Sequence, residues 1–254
     1  MNVALKYTAA AQRILTDHVY QRVVRHRRPI IFRQPAGVNT VALTFDDGPS
    51  PTSTPYLLRE LGRTGGKATF FLSGVRVAAH PGLAADIIAA GHDVYGHGWD
   101  HVNLEHAGAD AALAAFRRVE ALLATLRPTP TPYLIRLPYN AGCRRGWMHR
   151  AMRQVHPDVR FASWSFSTRD WRLAEGCDDL AAVARRCEIV ADELGGLADL
   201  PGTIVLLHEE PFGASGHLAG SVASALLPAI LERIAARGLR LDVIRSTREP
   251  HGLS

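Results

Sequence analysis

Two aspartates stand side by side at the end of an apolar run, in the segment TFDDGPS at residues 44–50. Successive side chains of a strand point to opposite faces, so Asp46 and Asp47 reach one site only if the chain leaves the strand beside them. Gly48 and Pro49 are typical of such a departure. A solvated turn uses the same residue types, so residues elsewhere in the chain have to decide between the two interpretations.

Two histidines four residues apart follow another apolar run, in YGHGWDH at residues 95–101. If the chain turns helical there, the imidazoles of His97 and His101 fall on one face, which suits two ligands of one metal ion. Two imidazoles and one carboxylate form an open site for Zn²⁺ or a related divalent ion such as Co²⁺ or Ni²⁺. The second carboxylate of the aspartate pair is then free to act as a general base.

Three further apolar runs are followed by groups that suit amide hydrolysis. His208 is the candidate acid for the leaving nitrogen, Asp170 would keep that imidazole charged, and Arg136 would fix the base carboxylate. Trp171 and Leu206 offer an apolar wall for a small acyl methyl group.

From residue 41 onward, seven short β-rich runs alternate with segments of helical period. The runs cover 41–46, 67–72, 92–97, 133–138, 159–166, 203–208 and 239–244, and the helices 54–63, 81–90, 109–126, 144–155, 178–195 and 221–236. This alternation predicts a parallel sheet, and a length of 254 residues favours closing it into a barrel. The carboxyl ends of barrel strands meet at one rim, so the candidate residues are expected together there.

The composition agrees with a single α/β domain, since 47% of the residues are hydrophobic. The formal charge is +5, but no dense basic and aromatic stripe indicates a nucleic-acid partner. Cys143, Cys177 and Cys187 lack C-x-x-C spacing, which predicts free thiols rather than a disulfide framework or a thiolate zinc site.

Residues 1–37 are predicted to form an amphipathic helical extension, with apolar positions near helical period followed by RVVRHRRP. Residues 1–35 either rest on an anionic membrane surface or pack against the flank of the barrel. We find no signal-peptide run and no stretch near the ~18 apolar residues of a membrane span. The expected location is therefore cytoplasmic, with the inner face of the membrane as an option.

Five motifs in order, TFDDGPS, HGWDH, RLPY, DW and LLH, make residues 38–245 similar to the polysaccharide deacetylase family, also called the NodB-homology domain or carbohydrate esterase family 4. The resemblance implies a distorted (β/α) barrel of about seven parallel strands over 38–250, related to the TIM barrel. It also implies a metal-dependent hydrolase that removes the acetyl group from an N-acetylated amino sugar in an oligosaccharide, a polysaccharide or a lipid-linked precursor.

The resemblance assigns roles to individual residues. It implies Asp46 as the base, Asp47, His97 and His101 as ligands of a metal that is most often zinc, His208 as the acid, Arg136 and Asp170 as their partners, and the Tyr139 backbone N–H as an oxyanion donor. Trp171, Leu206 and Tyr139 are expected to line the substrate.

Four positions depart from the family pattern. Gly98 stands where Ser or Thr is usual, Leu137 and Asn140 replace Pro and Gly, and Ser167 replaces an Asp. These departures bear on substrate fit more than on catalysis.

Two other functions fit the same residues. One is a metal-dependent hydrolase of non-sugar amides or imides, and the other is a glycan-binding pseudoenzyme, against which the complete set of candidate side chains argues. The Gly-rich segment 209–221 is either a substrate loop or an ordinary connection.

Overall fold

The computed structural model describes residues 30–212 and 218–245. Within these ranges one sheet contains nine strands, all paired in parallel, in the order β1-β6-β5-β4-β3-β2-β8-β7 with β9 beside β2. The strands are β1 (Ile30–Ile31), β2 (Thr40–Asp46), β3 (Thr69–Leu72), β4 (Asp93–Gly96), β5 (Leu134–Ile135), β6 (Arg160–Ala162), β7 (Phe166–Ser167), β8 (Ile204–His208) and β9 (Arg240–Leu241).

Helices connect most of these strands. They are α1 (Thr54–Thr64), α2 (Gly74–Ala79), α3 (Pro81–Ala89), α4 (Leu104–Ala107), α5 (Ala109–Leu123), α6 (Gly146–Met152), α7 (Leu180–Gly195) and α8 (Val222–Ala236). Local sequence sets their ends: Asp179 caps α7 by accepting a hydrogen bond from the Ala182 N–H, and Gly65 ends α1 in the left-handed conformation at φ 65°.

The parallel barrel predicted from the alternating pattern, and its distortion implied by the resemblance, are confirmed as a curled sheet flanked by helices. Each predicted strand has an observed counterpart, although several are shorter. The run 159–166 divides in two, because the chain changes neighbours: the Ser163 N–H donates to Ile31 O, and the Ser165 N–H donates to Ile204 O. The second part continues as β7 beside β8.

The predicted N-terminal extension covers residues 1–37, and its residues 1–29 lie outside the described residues. Its described part is not helical, because Ile30–Ile31 form β1 beside β6 and Arg33 bridges to Thr203 just before β8. This segment therefore lies between β6 and β8 and belongs to the barrel.

The core surrounds β2, in which all seven residues are buried, as expected for a parallel strand covered on both faces. Contrary to the expectation from the sequence, Ala219–Ala236 are long and apolar enough to cross a membrane by length and composition, but a core helix meets the same criteria. Leu226, Ile230 and Ile234 of α8 are indeed buried in the core. All three cysteines are buried, and Cys177 and Cys187 are free thiols, as predicted.

Candidate metal and catalytic site

The two aspartates diverge from the end of β2 and still reach one site. Asp46 is the last residue of the strand, and Asp47 adopts the left-handed conformation at φ 71° before a cis peptide bond between Gly48 and Pro49. His97 Nε2 lies 3.7 Å from Asp46 Oδ2 and 3.5 Å from Asp47 Oδ1. The backbone thus leaves the strand where the sequence indicated.

The predicted histidine pair lies on a loop, not on a helix. His97 directly follows β4, and residues 97–103 have no helical turn. Gly98 at φ 76° and His101 at φ 58° reverse the chain instead. The two imidazole rings lie close together, tilted by 48° with centroids 5.4 Å apart, so a different backbone route brings the pair together.

Asp47, His97 and His101 could hold a metal ion, since their candidate ligand atoms all lie within 4.8 Å of one another. Asp47 Oδ1 is buried with no hydrogen-bond partner among the described residues, which is costly unless a cation satisfies it. His97 Nδ1 lies 2.8 Å from Arg136 O, so the ring donates its Nδ1–H there and leaves Nε2 free for a metal. The donor set therefore fits a divalent cation.

Arg136 and Asp46 form a buried ion pair at the rim. Its Nη1 donates to Asp46 Oδ1 at 2.7 Å, and the guanidinium also donates to the Thr44 hydroxyl and to the carbonyls of Ala162 and Ser163. The side chain is fully buried. A buried carboxylate that is paired in this way stays in one orientation and remains available to accept a proton at its other oxygen.

His208 and Asp170 form a second pair on the same rim. His208 Nδ1 donates to Asp170 Oδ1 at 2.7 Å, and the His208 backbone N–H donates to Asp170 Oδ2 at 2.6 Å. Burial alone would lower the pKa of His208, but the charge and hydrogen bond of Asp170 outweigh it and raise the pKa to about 9. The imidazole is therefore protonated at neutral pH and can donate a proton from Nε2.

Backbone strain concentrates at this rim. All five non-glycine residues with positive φ in the described part of the chain lie here: Asp47, His101, Tyr139, Asn140 and Arg169. Two are candidate metal ligands, two belong to the RLPYN segment, and one precedes Asp170. Conformations of this kind persist where surrounding structure imposes them, and they cluster at functional sites.

The three expected substrate contacts are placed differently. Trp171 is partly exposed, with its ring edge-on to His208 at a centroid distance of 5.2 Å. Tyr139 is exposed and packs its ring on His101 at 4.5 Å. Leu206 is only 3% exposed, so it offers little surface to a ligand.

Two residues of the Gly-rich segment 209–221 reach the site, although no motif in the sequence indicated them. The Phe212 backbone N–H donates to Asp47 Oδ2 at 3.0 Å, and its ring stacks on His101 at 5.0 Å. Glu209 is buried beside Gly48, where a Cβ would lie 1.6 Å from Glu209 Oε1. Their only signal in the sequence is that they follow His208, Glu209 directly and Phe212 four residues later.

Two of the four departures from the family pattern are accommodated locally. Asn140 has φ 54°, a conformation that Asn tolerates better than most side chains, so it can stand where Gly is usual. A residue outside the loop stabilises the backbone next to Gly98, because the Ser73 hydroxyl donates a hydrogen bond to Trp99 O. Ser167 lies in β7.

Comparison with known proteins agrees with this geometry. The family model "Polysaccharide deacetylase" matches residues 33–155. A peptidoglycan-N-acetylglucosamine deacetylase of Bacillus cereus is 31% identical over 215 residues, 85% of this chain and 70% of the relative. A chitooligosaccharide deacetylase of Bradyrhizobium is 32% identical over 68% of this chain and 72% of its own length.

Among solved structures, the Bc1960 peptidoglycan N-acetylglucosamine deacetylase superposes with a TM-score of 0.70 at 28% identity, over 87% of this chain and 93% of that chain. The chain spans only 32% of the length of the Listeria monocytogenes relatives that it also matches.

A parallel barrel whose rim brings an Asp-His-His cluster beside an Arg-paired carboxylate and an Asp-paired histidine defines a metal-dependent hydrolase. Within that class, the chain belongs to the polysaccharide deacetylase family, carbohydrate esterase family 4.

Proposed function

We propose that this protein removes the acetyl group from N-acetylglucosamine units of a glycan, with a divalent metal bound by Asp47, His97 and His101. The observation that carries the proposal is the position of Asp46 and His208. They are paired residues on neighbouring strands β2 and β8, so a base and an acid stand side by side at the metal cluster.

The chemistry divides between these two groups. When held by Asp47, His97 and His101, a divalent cation would act as a Lewis acid that polarises the amide oxygen and lowers the pKa of a bound water. Asp46, held by Arg136, accepts the proton of the attacking water. The C–N bond then breaks as His208 donates its proton to the leaving nitrogen, which yields acetate and the free amine.

Zinc is the metal we propose, because two imidazole nitrogens and one carboxylate oxygen are a typical open zinc ligand set. Cobalt and nickel share that preference and are the alternatives. The Tyr139 backbone N–H is proposed as a donor to the oxyanion.

The substrate class follows from the relatives, whose names include peptidoglycan N-acetylglucosamine and chitooligosaccharides. The partly exposed rings of Trp171 and Tyr139 support a sugar ligand, because flat aromatic surfaces pack well on pyranose faces. The cytoplasmic location and the membrane contact of residues 1–35 stay predictions.

The test is acetate release from N-acetylglucosamine oligomers and from peptidoglycan fragments, by metal-stripped protein with and without Zn²⁺, Co²⁺ or Ni²⁺. We expect metal-dependent release that Asp46→Asn reduces by about 10²–10⁴-fold. Asp158→Asn, at an exposed turn before β6, is the matched control and should keep full activity.

Small cyclic imides belong in the same assay. Turnover of imides without acetate release would favour the non-sugar amide hydrolase. Glycan binding without turnover with any of the three metals would favour the pseudoenzyme. Either result would reject the proposed deacetylation.

A further inference from the structure

The three candidate metal ligands are oriented in three different ways. His97 is fixed by its hydrogen bond to Arg136 O. Asp47 Oδ2 accepts the backbone N–H of Phe212. His101 Nε2 lies 3.2 Å from Asp47 Oδ1, but its Nδ1 is buried and has no hydrogen-bond partner among the described residues, so no hydrogen bond from Nδ1 fixes this ring as one fixes His97.

Two aromatic rings pack against the His101 imidazole and restrict its orientation. The Phe212 ring is nearly parallel to the imidazole, with an interplanar angle of 12° and a centroid distance of 5.0 Å. Tyr139 contacts the same imidazole at 4.5 Å with an angle of 59°. Together they restrict rotation about the bond that joins Cβ to the His101 ring, and that rotation decides where Nε2 points.

Phe212 is itself held in place. The Arg76 guanidinium lies over its ring, 4.1 Å from the centroid, and Arg76 Nη1 donates to Glu210 O at 2.7 Å. Arg76 belongs to α2, a helix that also supports the histidine loop, because the Val75 N–H donates to Trp99 O. The aromatic ring therefore rests on a fixed element.

We propose that Phe212 is a positioning residue of the metal centre, which orients the Asp47 carboxylate with its backbone N–H and the His101 imidazole with its ring. The inference rests on the proposed metal site. It goes beyond it by assigning a role to a residue outside the five motifs. Residues that orient metal ligands typically change metal affinity 10–100-fold when they are altered.

The role requires a flat ring and not merely an apolar side chain. Leucine fills much of the same volume, but it presents no planar surface to the imidazole. Tyrosine keeps the ring. If Phe212 only covered the site from water, Leu and Tyr would serve equally well.

The test measures metal affinity and not activity. Metal-stripped protein is titrated with Zn²⁺ against a chromophoric chelator, and the absorption spectrum of the Co²⁺ form is recorded. We expect Phe212→Leu to weaken Zn²⁺ binding by about tenfold or more and to change the Co²⁺ spectrum. Phe212→Tyr should bind within about threefold of the unaltered protein.

A matched control is available in α1. Tyr56 is also a half-buried aromatic residue beneath an arginine, with the Arg59 guanidinium 4.9 Å from its ring centroid, and it is bonded to Ser224 O rather than to the site. Tyr56→Leu should leave Zn²⁺ affinity unchanged. Melting temperatures of the metal-free variants show that each is folded.

Three results would overturn the inference. One is equal affinity and an equal Co²⁺ spectrum for Phe212→Leu and the unaltered protein. Another is equal loss of affinity in Phe212→Leu, Phe212→Tyr and Tyr56→Leu. The third, absence of Zn²⁺ and Co²⁺ binding by the unaltered protein, would reject the metal site itself and this role with it, and only that result touches the proposed function.

Discussion

Asp46 and His208 are paired residues at the carboxyl ends of the adjacent parallel strands β2 and β8. The strand ladder continues one step beyond them, because the Glu209 N–H donates to Asp46 O at 3.0 Å. The backbone thus fixes the separation of the proposed base and acid, and each is then oriented by its own charged partner. Arg136 serves Asp46, and Asp170 serves His208.

The first prediction concerns the alkaline limit of activity. The raised pKa of His208, about 9, keeps the acid protonated until the pH passes that value, and activity should fall as the pH rises through it. Asp170→Asn keeps a hydrogen-bond acceptor for Nδ1–H but removes the charge that raises the pKa. We expect the alkaline limb of kcat/KM to move at least about one pH unit lower.

The control for this shift is the acid limb of the same pH profile, which should not move. Metal-free protein also allows a direct check by NMR titration of the His208 imidazole. An alkaline limb at the same pH in Asp170→Asn would show that His208 does not act as the acid, or that Asp170 does not set its pKa.

The second prediction concerns the buried Arg136–Asp46 pair. Arg136→Met leaves the Asp46 carboxylate buried without its cation, and it also leaves the Ala162 and Ser163 carbonyls without their donor. We expect the free energy of unfolding in urea to fall by about 3–5 kcal/mol. Arg150→Met, at an exposed position of α6, should change it by less than about 0.5 kcal/mol. Equal effects of the two variants would contradict a structural role for the pair.

Much of the fold was predictable because apolar runs mark strands that are buried on both faces. β2 is the clearest case, since seven consecutive buried residues leave a continuous signal. β1 gives no such signal: Ile30–Ile31 are two residues behind a basic run, and only their distant partner β6 makes them a strand. Residues 159–166 read as one strand because a change of pairing partner leaves no mark in a short apolar run.

The candidate site, like the fold, could be predicted from the sequence only in part. Residue types and spacing indicated the aspartate pair, His97 and His101. The family resemblance implied Asp47 as the ligand of the pair, and the structure brings Asp47 together with the two histidines. The helical turn that was one way to bring the histidine pair together does not form, and a left-handed φ at His101, which a sequence pattern does not reveal, brings the imidazoles together instead. Phe212 could not be predicted, since its contact with Asp47 joins positions 165 residues apart.

The third prediction separates metal binding from folding. Asp47 Oδ1 is a buried oxygen with no hydrogen-bond partner among the described residues, so Asp47→Asn should leave the metal-free protein as stable as before, or slightly more stable. Asn also tolerates the left-handed conformation at this position. At a Zn²⁺ concentration 100 times Kd, the unaltered protein should gain about 2.7 kcal/mol, and Asp47→Asn should gain almost nothing at that concentration.

Thermal or urea unfolding with Zn²⁺ and with chelator measures both quantities. Mg²⁺ is a useful comparison, because an open site with two imidazoles suits it poorly. Equal Zn²⁺ stabilisation of the two proteins would exclude Asp47 as a ligand.

The fourth prediction concerns Glu209, whose carboxyl group is buried beneath the Asp47–Gly48 turn. Thr54 Oγ1 donates to Glu209 Oε2, while Oε1 has no hydrogen-bond partner among the described residues. Burial raises the pKa of Glu209 from its ordinary value of 4.5 to about 7. The folded state therefore keeps this proton up to a higher pH than the unfolded state does. As the pH rises from about 4.5 through 7, the ionisation of Glu209 lowers the free energy of unfolding.

Glu209→Gln removes this titration. The difference in unfolding free energy, unaltered protein minus variant, should fall by roughly 2–3 kcal/mol between pH 4.5 and pH 8, from a pKa difference of about 2.5 units. Urea unfolding of chelator-treated protein across this range measures it, and Glu193→Gln, an exposed position of α7, should give a constant difference. A constant difference for Glu209→Gln as well would mean that the buried carboxyl group ionises at its ordinary pKa. The turn that presents Asp47 would then rest on a carboxylate at all working pH values.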